Sequence, residues 1–287
     1  MTDTDRLNLR AQTASVAVAL ILVTAKLWAL AATGSLSVAA ALADSALDLM
    51  MSLGGLAAIR YAARPPDDDH HFGHTSAEDL AALGQSAFIA LSAIAIAAAG
   101  VLRLGQPAAL ENEGAGMAVM ALSIGLTGAL VFYQSRVARR TGNRVIMADR
   151  LHYVGDLLPN LGAAAALYAS GAFGLVSLDT VVALIAAVIM LIGAGRIGAG
   201  AWNALMDRAA GPEMIAEIGR IADDAAGVEG HHDLRTRTAG TRVFVNLHIE
   251  IDGTLPLSDA HEIGEDLRRT IVQRYPGTDV MIHHDPV

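Results

Sequence analysis

The stretch ALADSALDLMMSLGGLAAI (Ala41–Ile59) is apolar apart from Asp44 and Asp48 and a few small polar residues. Their i, i+4 spacing sets both carboxylates on one face of a helix. An acid at the centre of a bilayer is costly, so such residues face a bundle interior, a water-filled path or a partner. A second apolar run repeats the spacing with His152 and Asp156. Three carboxylates and one imidazole converging between two helices can hold a divalent cation tetrahedrally.

Composition agrees with a membrane setting. Of 287 residues, 53% are hydrophobic and 17% charged, with a mean hydropathy of +0.44. Soluble domains are about a quarter charged. Aromatics are only 4%, so helix packing rests on Ala, Gly, Leu, Ile and Val. The lack of cysteine removes disulfides, thiolate metal sites and thiol catalysis, leaving oxygen and nitrogen ligands. From Arg208 onward 14 acidic residues face eight arginines, which puts −6 of the formal −9 in the tail. Nucleic-acid binding needs a basic footprint and is not expected. The polar start Met1–Arg10 leads directly into a long apolar segment, without the short h-region and cleavage site of a signal peptide.

A spanning helix needs about 20 mostly apolar residues. Leu80–Leu102, Gly114–Ser135 and Leu157–Leu178 are uncharged stretches of that order, and Ala11–Ala43 is interrupted only by Lys26. Thr33, Gly34 and Ser35 mark a turn. The reading is six helices at 11–32, 36–62, 77–103, 114–138, 144–170 and 177–206. Arginines 6, 10, 60, 64, 136, 139, 140, 144 and 208 fall on one side of these spans. By the positive-inside rule that side is cytoplasmic and holds both termini. Lys26 and Arg196 lie within spans and read as snorkelling cations. Gly193, Gly195, Gly198 and Gly200 predict close helix approach.

From about Asp207 the composition becomes that of a small soluble domain. Pro212 suits a helix first turn, Glu213–Ala226 is helix-like, and Asp233–Thr238 and Arg242–Asp252 alternate as strands. Val243, Val245, Leu247 and Ile249 share one face. Leu257–Tyr275 reads as an amphipathic helix and Asp279–His284 as a last strand. The predicted architecture is an α-helical membrane protein: a six-helix transmembrane bundle over 1–207, then a small cytoplasmic α-β-β-α-β domain over 208–287. A core of about 80 residues is small, so metal or dimerisation is expected to help stabilise it.

Ten histidines are distributed unevenly. His70, His71, His74 and His152 lie in the membrane part, and His231, His232, His248, His261, His283 and His284 in the tail. After Pro65-Pro66, Asp67, His70 and His74 have a D-x-x-H-x-x-x-H spacing, which suits a metal and equally a solvated charged loop. In the tail, His232, His248, His261 and His283 with Asp285 come from four elements that an α-β-β-α-β fold can bring together.

The runs ADSALDLMMSL (Ala43–Leu53), PPDDDHHFGHTSAEDLAAL (Pro65–Leu83), DRLHYVGD (Asp149–Asp156), LMDRA (Leu205–Ala209), HDLRTR (His232–Arg237) and VMIHHDP (Val280–Pro286) occur in this order. On them the chain resembles the cation diffusion facilitator family, and within it the bacterial zinc and ferrous-iron efflux pumps. The resemblance implies Asp44, Asp48, His152 and Asp156 as the transport site, and Asp67, His70 and His74 as a loop site. It implies a metallochaperone-like tail with a two-metal site of His232, His248, His261 and His283, bridged by Asp285. It implies a Y-shaped homodimer in the inner membrane that exchanges cytoplasmic metal for external protons. Two positions depart from the pattern. Ser76 stands where related pumps have a lysine that pairs with an aspartate equivalent to Asp207, and His284 stands where close relatives have glutamine.

The expected function is therefore efflux of Zn²⁺ by proton antiport, with no enzymatic activity. Neutral imidazole suits Zn²⁺, and metal binding competes with protonation of the ligands. An aspartate in place of a histidine in this quartet goes, in the family, with tolerating Cd²⁺ as well. Zn²⁺ is also expected as a regulatory ion of the tail. A metal-gated channel or a metal sensor would keep the same ligands. An intramembrane aspartyl protease also uses two buried carboxylates, but its second motif needs Gly-x-Gly-Asp where this chain has Tyr153-Val154-Gly155-Asp156.

Overall fold

The computed structural model describes residues 3–33, 36–103, 114–173 and 178–287. Six long helices come first: α1 (Asp3–Thr33), α2 (Leu36–Ala62), α3 (Ser76–Arg103), α4 (Gly114–Thr141), α5 (Arg144–Phe173) and α6 (Leu178–Leu205). Helix α1 starts well before the apolar run, because Asp3 and Asp5 in its first turn complement the positive end of the helix dipole. Thr33 closes α1; the rest of the expected turn, Gly34 and Ser35, lies outside the described residues, as does residue 177.

Among the described residues, Asp3–Ala32, Ser76–Leu102 and Leu184–Leu205 are long and apolar enough to cross a membrane. Leu20, Trp28, Leu91, Ile94, Phe132, Ile185 and Val188 stand exposed on the outside of the helices. Monomeric soluble proteins rarely expose so broad an apolar surface.

Residues 1–202 and 203–287 form separate compact units. In the first, α1 packs on α2 and α4, α4 on α5, and α3 on α2 and α5. Small side chains allow this: Ala11, Ala82, Ala138 and Ala201 lie in one buried cluster, and Ala93, Ala148, Ala187 and Ala194 in another. The expected glycine face of α6 is used unevenly. A Cβ on Gly193 would lie 2.6 Å from Leu151, and one on Gly198 2.8 Å from Ser86, whereas one on Gly195 would meet nothing within 4 Å.

The second unit contains α7 (Pro212–Asp223), β1 (Gly230–Ala239), β2 (Arg242–Ile251), α8 (Leu257–Arg274) and β3 (Thr278–Pro286). Strand order is β1-β2-β3, antiparallel then parallel. Val245, Leu247 and Ile249 on one face of β2 pack with Ile218 and Ala222 of α7 and Leu267 and Ile271 of α8. Both helices therefore cover that face, which makes a two-layer α/β domain.

Asp207 is not left without a cation. Arg237 Nη1 approaches its Oδ1 at 3.3 Å, and the same guanidinium sits 4.2 Å above the Phe244 ring.

Candidate metal centre

Helices α2 and α5 bring three of the four intramembrane candidates together. His152 Nε2 lies 2.7 Å from Asp48 Oδ1 and 3.8 Å from Asp156 Oδ2. One ligand atom from each residue falls within 4.8 Å of the others. His152 and Asp48 are buried and Asp156 is half-buried. His152 Nδ1 and Asp156 Oδ2 have no hydrogen-bond partner among the described residues. A buried polar atom without a partner is costly, and a cation between Asp48, His152 and Asp156 would satisfy the Asp156 oxygen.

One turn away on both helices lies a polar network that sequence reading did not single out. Asp149, 2% exposed, accepts hydrogen bonds from Ser15 Oγ at 2.5 Å, Gln134 Nε2 at 2.6 Å and Ser52 Oγ at 3.3 Å. Ser52 Oγ also lies 3.0 Å from the Tyr153 hydroxyl. The network thus joins α1, α2, α4 and α5. Ser52 follows Asp48 by four residues and Asp149 precedes His152 by three, so it fixes the two ligand-bearing helices against each other.

The loop between α2 and α3 forms a second cluster. Asp67 Oδ1 lies 3.0 Å from His70 Nδ1, and Asp67 Oδ2 lies 3.1 Å from His74 Nε2. His74 is buried, whereas Asp67 and His70 are exposed. The Asp67 carboxyl sits below its ordinary range. Desolvation acts against this, but the hydrogen bonds from His70 and the charges of His74 and His70 outweigh it.

In the tail the sheet lines up its histidines. His232 pairs with His248 across β1 and β2, and His248 with His283 across β2 and β3. Ring centroids are 5.0 Å apart for the first pair and 4.6 Å for the second. Asp285, two residues beyond His283, shares their face. Its Oδ2 lies 3.1 Å from His232 Nε2 and 2.8 Å from His248 Nδ1, while its Oδ1 lies 3.3 Å from His283 Nε2. The hydrogen bond from His248 holds Asp285 below the ordinary carboxylate range, and the charges of His283, His248 and His232 add to it. A bulge between His232 and Arg235, with Asp233 at φ 50, re-aims the strand next to the cluster.

Two family descriptions cover this arrangement: the cation efflux transmembrane domain matches residues 13–206, and the cation efflux protein cytoplasmic domain matches 210–287. The chain belongs to the cation diffusion facilitator family. Cation-efflux pump FieF of Escherichia fergusonii is 40% identical over 281 residues, spanning 98% of this chain and 93% of that protein. The pump of the same name from Serratia proteamaculans is 41% identical over the same shares. Among solved structures, the metal-bound C-terminal domain of the CzcD transporter from Thermotoga maritima is 32% identical, covering 26% of this chain and 87% of that domain, with a TM-score of 0.25. As a cation diffusion facilitator, the chain is a membrane transporter for cation efflux.

Three expected ligands of this facilitator fall outside the three clusters: Asp44, His261 and His283, the last still 3.3 Å from Asp285 Oδ1. Asp44 is exposed and outside the three-ligand set, although it lies within Coulombic reach of Asp48 and His152. His261 is an exposed residue of α8, outside the His232–His248–Asp285 set. Its electrostatic partners are Glu265 and His284. The reason is the sheet's pleat: α8 covers the face opposite the histidine row. His284 falls on the covered face for the same reason, so it adds no ligand to that row. Of the other histidines, His231 Nδ1 bonds Asp223 of α7 at 2.6 Å and His71 is exposed.

Proposed function

We propose that this facilitator exports Zn²⁺, and Cd²⁺ as well, from the cytoplasm in exchange for protons. It works as a homodimer in the inner membrane with both termini cytoplasmic, and residues 208–287 form its regulatory domain. The observation that carries the reading is the convergence of Asp48, His152 and Asp156 from α2 and α5 inside apolar helices. Oxygen donors with a single imidazole suit a borderline divalent ion. Asp44, one turn from Asp48, completes the quartet when the ion is held.

The exchange follows from ligand chemistry. The His152–Asp48 hydrogen bond holds a proton where the ion must sit. Zn²⁺, as substrate, needs the imidazole neutral and the carboxylates ionised, so its arrival releases protons. Protons arriving from the outer side restore the hydrogen bond and expel the ion.

The loop and tail sets also fit a metal. Imidazole and carboxylate donors without thiolate suit Zn²⁺. His232, His248, His283 and Asp285 would hold it in the tail, and Asp67, His70 and His74 in the loop. Bound there, Zn²⁺ neutralises acidic surface and ties the strands together.

Zinc flux into proteoliposomes under an imposed pH gradient tests the proposal. Flux should saturate, follow the gradient and vanish in His152→Ala. Flux indifferent to the gradient refutes antiport, and wild-type flux in His152→Ala refutes the site.

A further inference from the structure

The sequence reading of Lys26 as a snorkelling cation does not survive the structure. Its ammonium turns inward, and Nζ donates to Ser45 Oγ at 2.6 Å. Ser45 is 1% exposed and follows Asp44 in α2. The same charge lies within Coulombic reach of both Asp44 and Asp156. Lys26 thus belongs to the side of the transport site where Asp44 stands outside the three-ligand set.

Formal charge gives this placement a consequence. With His152 neutral, Asp44, Asp48 and Asp156 carry three negative charges within Coulombic reach of one another. An ammonium fixed beside them lowers the total to minus two, which one divalent ion neutralises. Without it, one negative charge is left over in a low-dielectric site, where an uncompensated charge is costly and recruits a further cation. The divalent ion would also leave such a site more slowly.

We propose that Lys26 is a specificity-determining residue: a tethered cation that matches the transport site to a single divalent ion and keeps small monovalent cations out. The inference rests on the transport-site reading given above. Lys26 does not ligate the metal; it sets the charge the metal meets.

The test is zinc flux in proteoliposomes made with wild type, Lys26→Met and Lys26→Arg, at constant ionic strength in choline or in Na⁺. Wild type is expected to be indifferent to the swap. In choline, Lys26→Met should show KM and kcat both lowered, KM by about tenfold, the change that about 1.4 kcal/mol in the site's hold on the ion produces. Na⁺ should raise its KM back toward wild type, and Lys26→Arg should restore indifference to Na⁺. Lys26→Met with wild-type KM, kcat and Na⁺ response overturns the proposal. So does Lys26→Arg that behaves as Lys26→Met, because charge would then not be the cause. Should wild type itself carry no zinc, the transport reading fails, and calorimetric Zn²⁺ binding in detergent decides the Lys26 question. In an Asp67→Ala, Asp285→Ala background, Lys26→Met should there bind Zn²⁺ more tightly in choline than in Na⁺. Equal affinity in the two salts overturns the inference.

Discussion

His152 and Asp149 lie three residues apart on α5 and differ in what surrounds them. His152 meets two acids and keeps one ring nitrogen without a partner among the described residues. Asp149 is saturated with donors from three other helices. The first was legible in sequence because its partners recur at fixed spacing, Asp48 with Asp44 and Asp156 with His152. The second was not, because Ser15, Ser52 and Gln134 carry no local pattern; only folding reveals that they share a carboxylate. The partner of Lys26 is hidden from sequence for the same reason, since Ser45 lies on another helix. Replacing Asp149 with Leu strands the Gln134 amide nitrogen in a dry interior, at about 1–3 kcal/mol, while Ser15 keeps the Ser52 hydroxyl at 2.9 Å. A clear drop in the melting temperature of the detergent-solubilised protein is expected; an unchanged value would remove Asp149 from the framework.

At the scale of elements, strand parity decides which histidines can act together. His283 and Asp285 share a face and His284 takes the other, as the pleat requires. That much could be read from VMIHHDP alone. The placement of His261 could not, because it depends on which face α8 covers. Gly264 of α8 records the packing. A Cβ there would come within 2.7 Å of the His284 ring carbon Cε1. Gly264→Ala should therefore destabilise the tail by about 1–3 kcal/mol through overpacking. Adding His284→Ala should recover most of the loss. Hydrogen exchange over residues 257–286 measures both, and a stable Gly264→Ala would mean that the ring is free to move aside.

The molecule as a whole joins an apolar helical unit to an acidic tail, and both were legible at this scale. The lengths of the uncharged runs anticipate the long helices, while the composition change near residue 207 falls inside the second unit, which begins at Asn203. The tail has its own pH dependence. Asp285 is held below the ordinary carboxylate range by His248 and its neighbouring imidazoles. A depressed folded pKa stabilises above the unfolded value, about 3.9, and that contribution is lost as pH falls through the folded pKa. In chelated protein, exchange protection of β1–β3 should weaken below about pH 4. Asp285→Asn should lose part of that acid sensitivity; an identical acid profile would deny Asp285 its role in the tail.

The proposed transport turns on one ion lying between α2 and α5. Zinc-edge anomalous diffraction from crystals of the zinc-loaded protein tests this directly. A peak is expected within about 2.0–2.2 Å of Asp48, His152 Nε2 and Asp156. Zinc confined to the loop and tail, with these three side chains turned apart, would contradict it.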